Sequence, residues 1–268
     1  MSPRPDHPFW KALLPALAVA VLLAAWYAVK AAWQLHDFLL PAPHAVLFAL
    51  VREAAVLADA AWVTFAGALL GFLGAIVLGF SLSLLLALSR WLRYSLYPLV
   101  IFMQMIPILA TAAIIVILFD VGVHSVALIA FLIGFFPVVA STLHGLLSVP
   151  EEQIDLFRLY KANRWQELAL LRIPSALPSF FTGAKIAATL AVIGAVTGEI
   201  FAGSSAGAGG LGFRILIYKA ELKTDAVYAA TLSGASAGYD YYLSPDLSTL
   251  TGDVIGLLPD AAGQAFFT

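Results

Sequence analysis

Five apolar runs, at about 13–29, 63–88, 98–119, 123–147 and 176–200, dominate this chain. A bilayer's hydrocarbon core is about 30 Å thick and a helix rises about 1.5 Å per residue, so roughly 20 apolar residues suffice to cross it. Amides facing lipid must bond within their own segment, and the runs show neither the alternation nor the number of strands that a closed barrel requires. They predict an all-α, polytopic membrane helical bundle with five spans. Composition agrees: 62% of residues are hydrophobic and 11% charged, far from the soluble average of about 45–50% and 25%, which excludes a water-soluble enzyme. A formal charge of −2 supplies no cationic surface for nucleic acid. With no cysteine, disulfides, thiolate nucleophiles and cysteine zinc sites are ruled out.

Arg4 and Lys11 precede the first run as in a secretory signal, but no small-residue cleavage site comes promptly after it, so the run reads as an uncleaved anchor. With the N-terminus in the cytoplasm, eight basic residues (Arg4, Lys11, Arg90, Arg93, Arg158, Lys161, Arg164, Arg172) face inside and five (Lys30, Arg52, Arg214, Lys219, Lys223) outside, the sense of the positive-inside rule. Gly67, Gly71, Ala75 and Gly79 stack small residues along one helical face. Such a face suits packing within the bundle or a dimer contact. Gln104, amid apolar neighbours, would touch a solute or hydrogen-bond a neighbouring helix. Lys185 would snorkel to the cytoplasmic boundary. Glu199, at the outer end of its run, would line an outer gate or end its helix at the headgroups.

The segment 149–178, VPEEQIDLFRLYKANRWQELALLRIPSALP, is different in kind. Leu156, Leu159, Tyr160 and Asn163 recur at helical spacing among Glu151, Glu152, Arg158, Lys161 and Arg164, which predicts an amphipathic cytoplasmic element. Pro150 suits a helix start, while Pro174 and Pro178 restrict the helix near them. Such an element lies on headgroups or serves as a peg for a soluble partner. As interface anchors, Arg164 and Trp165 are the candidates; the alternative for Trp165 is packing against the base of the bundle.

This segment resembles the cytoplasmic EAA loop of binding-protein-dependent ABC transporter permeases, which docks on the ATPase. Asp155 stands for the motif's acid, and Ile173 and Pro174 fill its closing pair. Leu156 and Phe157 replace its two alanines and Lys161 its glycine, so Lys161-Ala162-Asn163 must make the turn between two coupling helices another way. RWQ at 164–166, IPSALP at 173–178, Gly183, ATLAVIGAVTGEIFAG at 188–203 and Gly-Leu-Gly at 210–212 resemble the nitrate, sulfonate and taurine subgroup, a broad group that also includes permeases for thiamine-pyrimidine precursors and riboflavin. The resemblance covers about 46–238 and implies the ABC importer permease fold, with a permease core over that range and a coupling loop at 150–175; the apolar run ahead of it makes 1–45 an anchor span and external linker. It implies coupling to the ATPase through Asp155, Tyr160, Lys161, Asn163, Arg164, Trp165 and Pro174; the candidates for a translocation path or gate are Gln104, on its polarity within an apolar run, and Glu199, in a Gly-Glu pair shared with the family. It further implies cytoplasmic ATPase subunits that bind ATP and Mg, an external solute-binding protein, a permease homodimer and an inner-membrane location. On this reading the chain itself binds no cofactor or metal and catalyses nothing.

Gly207, Gly209 and Gly212 have the spacing of a dinucleotide fingerprint but come after a membrane run rather than a strand, so they read as an external loop. No Walker lysine motif or H-E-x-x-H pair occurs, and the five histidines are scattered. The family leads one to expect a sixth span, yet 226–238 gives only thirteen residues of mostly small side chains, too few to cross without recruiting the tyrosines beyond them. The acidic tail 239–268 carries no basic residue, which suggests an end truncated and replaced or read in another frame. A stand-alone secondary transporter or channel is the competing functional class; it would move solute without ATP.

Overall fold

The structure is a computed structural model, and it describes residues 8–202 and 209–243. In chain order the helices are α1 (Pro8–Ala32), α2 (Pro43–Arg52), α3 (Ala54–Leu88), α4 (Arg90–Gln104), α5 (Ile108–Phe119), α6 (Val123–Leu147), α7 (Glu151–Leu159) and α8 (Arg164–Glu167). A π-helical turn over Leu168–Arg172 leads into α9 (Ile173–Ala202), and α10 (Leu211–Ala220) and α11 (Thr224–Leu243) complete the order. Among the described residues four helical stretches are long and apolar enough to cross a membrane, and the bent pair α4–α5 makes a fifth. These carry the five apolar runs of the sequence.

Two expectations are corrected. The third run is not one rod: α4 and α5 meet at a 95° bend. Pro107, at the N-cap of α5, has no amide to continue the α4 ladder and disfavours helix at Ile106, so the chain must turn there. Conversely, the prolines after the coupling segment do not end its helix, which runs from Arg164 to Ala202 without interruption. The π-helical turn before Pro174 shifts the hydrogen-bond register, so that the missing amide is accommodated. A smaller difference is the length of α3, which begins at Ala54 and has 35 residues. At about 52 Å it exceeds the hydrocarbon thickness and must tilt or protrude.

The centre of the bundle is α3, α6 and α9. The small-residue face of α3 packs against α6 within the same chain: a Cβ on Gly67 would meet Val126, and one on Gly79 would lie 3.0 Å from Val138. Gly183, Gly194 and Gly198 of α9 likewise bring its backbone against Pro137, Ala130 and Ile129 of α6. Ser83 donates both to its own helix at Gly79 O (2.7 Å) and across to Val139 O of α6 (3.2 Å). By contrast α1 is exposed along its apolar stretch. It is tied down near its end by Trp26 Nε1 donating to Pro41 O (3.2 Å) and by a Tyr27–His44 contact of 2.9 Å.

The sixth helix, α11, spans 20 residues by taking in Tyr239, Tyr241 and Tyr242, although it is not apolar enough to rank with the five. Ala226, Ala229 and Ala230 in its first half bury themselves against Val46, Ala49, Leu57 and Leu211. Residues 244–268, on which the reading of a replaced end mainly falls, lie outside the described residues.

A Cβ at Gly71 would lie 2.6–2.7 Å from Ala127 O, Ala130 Cβ and Phe131 N. Since two of these are backbone atoms, Gly71→Ala is expected to destabilise the bundle by about 1–3 kcal/mol. Gly74→Ala, whose Cβ would sit 3.4 Å from the Phe131 ring, should change little. Unfolding of both variants in detergent micelles checks this.

Candidate coupling surface and translocation path

α7 has an acidic first turn, Glu151 and Glu152, and Arg158 in its last, the charge order that the helix dipole favours. Its inner side is Ile154, clustered with Val149 and Leu171 and backed by Phe157. The stripe picked out by sequence spacing faces away: Leu159 is 81% exposed, Tyr160 67%, and Leu156 and Asn163 are exposed too. Both stripes have helical spacing, and only the position of Leu171 in the next helical segment decides which of them is covered.

The turn after α7 is made without glycine. Lys161 takes φ 57°, its amide donates to Arg158 O (2.9 Å) and that of Ala162 to Phe157 O (3.0 Å), the hydrogen-bond pair of a Schellman cap. Asn163 then opens α8 with a reciprocal capping box. Its Oδ1 accepts from the Gln166 amide (2.9 Å), and Gln166 Oε1 accepts from the Asn163 amide (2.8 Å). Asp155 pairs with Arg158 at 3.0 Å on the exposed side. Arg164 is exposed and Trp165 is 68% exposed, so Trp165 does not pack against the base of the bundle in this chain. Further along, Arg172 pairs with Glu167 (2.5 Å) and donates to Leu146 O (3.0 Å), fastening the segment to the end of α6. Asp155, Tyr160, Lys161, Asn163, Arg164 and Trp165 thus share one short outward-facing element, while Pro174 lies beyond it at the start of α9.

Glu199 sits at the other end of α9, about 37 Å along the helix from Pro174. It is 3% exposed. Its Oε2 accepts from Thr64 Oγ1 of α3 and from the Gly212 amide, each at 2.9 Å. Thr64 Oγ1 in turn accepts from the Leu211 amide at 2.9 Å. Two of the first free amides of α10 are therefore satisfied by side chains from two spans, a function usually performed by a local cap residue. Gly210 lies over Glu199 Oε1, and any Cβ there would collide with the carboxylate. In this state Glu199 clasps α3, α9 and α10 together.

Gln104 is elsewhere, at the break between α4 and α5. It lines a cavity of about 370 Å³ with Met103, Thr111, Phe135, Phe136 and Ile193 among others. Irregular backbone at membrane depth is tolerated where it borders a cavity or lies within protein, which ties the break at Pro107 to this space. Sequence reasoning found Gln104 but missed Thr111 and Pro107, although the proline stood in plain view within the apolar run. Thr64 was missed as well; a hydroxyl in a membrane helix carries little signal without its partner. Among the described residues no group of three or more His, Asp or Glu could hold a metal ion.

A bundle of apolar helices with one span broken beside a cavity, and a water-facing helix pair running into another span, defines a multi-pass membrane transport subunit. Residues 75–238 match the family of binding-protein-dependent transport system inner membrane components, and the chain belongs to that family. It is 35% identical over 234 residues to a probable ABC transporter permease protein of Haemophilus influenzae, covering 87% of this chain and 94% of that protein. It is 34% identical over 223 residues to the riboflavin transport system permease protein RibX of Chloroflexus aurantiacus, covering 82% of each. A formylaminopyrimidine transport permease protein, ThiX, of Halalkalibacterium halodurans is 34% identical over 195 residues, 71% of this chain and 76% of that one. The chain is thus the permease component of an ABC importer, the membrane part of the machine and not its catalytic part.

Substitutions at two positions test these local structures. Glu199→Ala removes the acceptor of two buried donors and is expected to lower stability by about 1–3 kcal/mol, with Glu199→Gln, which keeps an acceptor oxygen, losing less. Lys161→Gly relieves the left-handed residue and should stabilise by about 1 kcal/mol. Thermal unfolding in detergent reads both, and a destabilised Lys161→Gly would contradict the turn.

Proposed function

We propose that this chain couples ATP hydrolysis by separate cytoplasmic ATPase subunits to solute import, through the outward face of α7 and α8. The observation that carries the reading is the exposed set Leu156, Leu159, Tyr160 and Trp165 on an element whose helix continues into a membrane span. Large apolar side chains held in water at the end of a rod suit a partner's groove, and closure of that groove would move the rod. ATP and Mg belong to the partner on this reading. An external solute-binding protein delivers the solute, two copies of the permease enclose the path, and the chain resides in the inner membrane with its N-terminus in the cytoplasm. Asp155, Tyr160, Lys161, Asn163 and Pro174 shape the coupling element, while Arg164 and Trp165 anchor it.

The solute passes near Gln104 and Thr111. The lining of the adjacent cavity holds no charged side chain among the described residues. An oxyanion such as a sulfonate would leave its charge unpaired there, so the lining favours an uncharged heterocycle of the vitamin or vitamin-precursor kind, the class that RibX and ThiX are named for, over the taurine, sulfonate and bicarbonate that other relatives are named for. Glu199 and Thr64 govern the outer end, where release of the clasp would free α10.

Co-purification with candidate ATPase subunits tests the coupling. Arg164→Ala and Trp165→Ala are each expected to weaken association at least several-fold, and the double variant at least tenfold, as for interface anchors. Undiminished binding by the double variant refutes the assignment. Solute uptake into proteoliposomes holding this chain alone, without ATP, would favour the stand-alone carrier.

A further inference from the structure

The ends of three spans leave a second concave site. Where α3 ends at Leu88, α4 begins at Arg90, α6 ends at Leu147 and α8 begins at Arg164, a cavity of about 350 Å³ is lined by Arg90, Arg93, Arg158, Arg164, Arg172 and Glu167. Two of the five guanidinium groups are accounted for: Arg172 by Glu167 and Leu146 O, and Arg158 by Asp155. Arg90, Arg93 and Arg164 have no acidic partner among the described residues. Crowding like charges into one pocket is unfavourable unless an anion enters it, and planar guanidinium forks match the oxygens of a phosphate.

We infer that this pocket binds a phosphate-bearing anion, and that the anion is the headgroup of an anionic phospholipid in the surrounding leaflet. The depth of the pocket selects the source. It lies at the ends of membrane helices, and its α4 wall also carries Trp91 and Tyr94, 85% and 69% exposed. Amphipathic rings interleaved with arginines mark the level of the headgroups. Ala87, Leu88, Leu147 and Leu168 line it too, and apolar side chains beside the arginines suit the glycerol and upper acyl chain that adjoin a phosphate. Arg90 and Arg93 lie outside the coupling element, so substituting them tests the pocket without altering the proposed ATPase anchors Arg164 and Trp165.

Native mass spectrometry of the full-length chain in detergent, titrated with phosphatidylglycerol, phosphatidylcholine or inorganic phosphate, tests it. Phosphatidylglycerol is expected to bind preferentially and to weaken as salt is raised. Arg90→Gln with Arg93→Gln should weaken it about thirty-fold, the loss expected for two cations beside an anionic surface, and Arg90→Lys with Arg93→Lys should retain most of the binding. Equal binding of phosphatidylcholine, or an undiminished preference in the glutamine pair, would overturn the site. Displacement of phosphatidylglycerol by millimolar inorganic phosphate would overturn the membrane as the source. If the glutamine pair keeps the lipid but loses the ATPase subunits, the arginines serve an acidic partner surface and the inference fails.

Discussion

In lipid a helix gains nothing by hiding its apolar side chains from solvent, because the acyl chains around it are as apolar as leucine. What holds α3, α6 and α9 together is close approach, and close approach requires small residues. α6 is gripped from two sides, by Gly67, Gly71 and Gly79 of α3 and by Gly183, Gly194 and Gly198 of α9. The other elements are arranged around this seam. The bent pair is laid along α6 and α9, α10 is hung from it by Thr64 and Glu199, and the coupling segment is fastened to its other end by Arg172. α1, which has none of these attachments along its apolar stretch, stays at the periphery.

A tightly packed seam moves as a body, so motion must be taken up where the backbone is irregular. Each irregularity here has a specific cause. Pro107 bends the third span by 95° beside the cavity. Leu168–Arg172 forms the π-helical turn at the root of α9, and such turns often mark functional positions. The two lie in different parts of the bundle, one beside the cavity and the other next to the water-facing helices.

The order of the apolar stretches and the place of the polar helical segment between two of them are legible in the sequence because lipid imposes length and apolarity on any segment that crosses it. The face that α3 presents to α6 is legible for the same reason, as a repeat of small residues. What is not legible depends on distant partners. Ile154 and Leu159 are equally apolar, and only the arrival of Leu171 decides that the first is covered. Glu199 reads as an exposed gate or a helix end until Thr64, 135 positions earlier, and the Gly212 amide close over it. Lys161 looks like the loss of a turn, yet the Schellman bonds around it need only the backbone, and a lysine can hold the left-handed angle at a modest cost. Pro107 is the opposite case, a local signal overlooked because the run around it is so uniformly apolar.

The continuity of Arg164–Ala202 gives the fold its mechanical character. Had Pro174 broken the helix, the coupling segment would be joined to the membrane by a hinge, and a pull on Trp165 would be absorbed there. Instead the π-helical turn lets the helix pass the proline, and the Arg172–Glu167 pair together with Leu146 O ties the same point to α6. A displacement entering at α8 is therefore shared between α9, directly through its backbone, and α6, through one guanidinium. Because α6 and α9 are locked by their small-residue seam, they can respond only together. At the far end of α9 the same rod carries Glu199, which with Thr64 of α3 caps α10, so α10 is carried with the seam. The Glu199 clasp and the exposed turn of α8 thus lie at the two ends of one helical stretch, Arg164–Ala202.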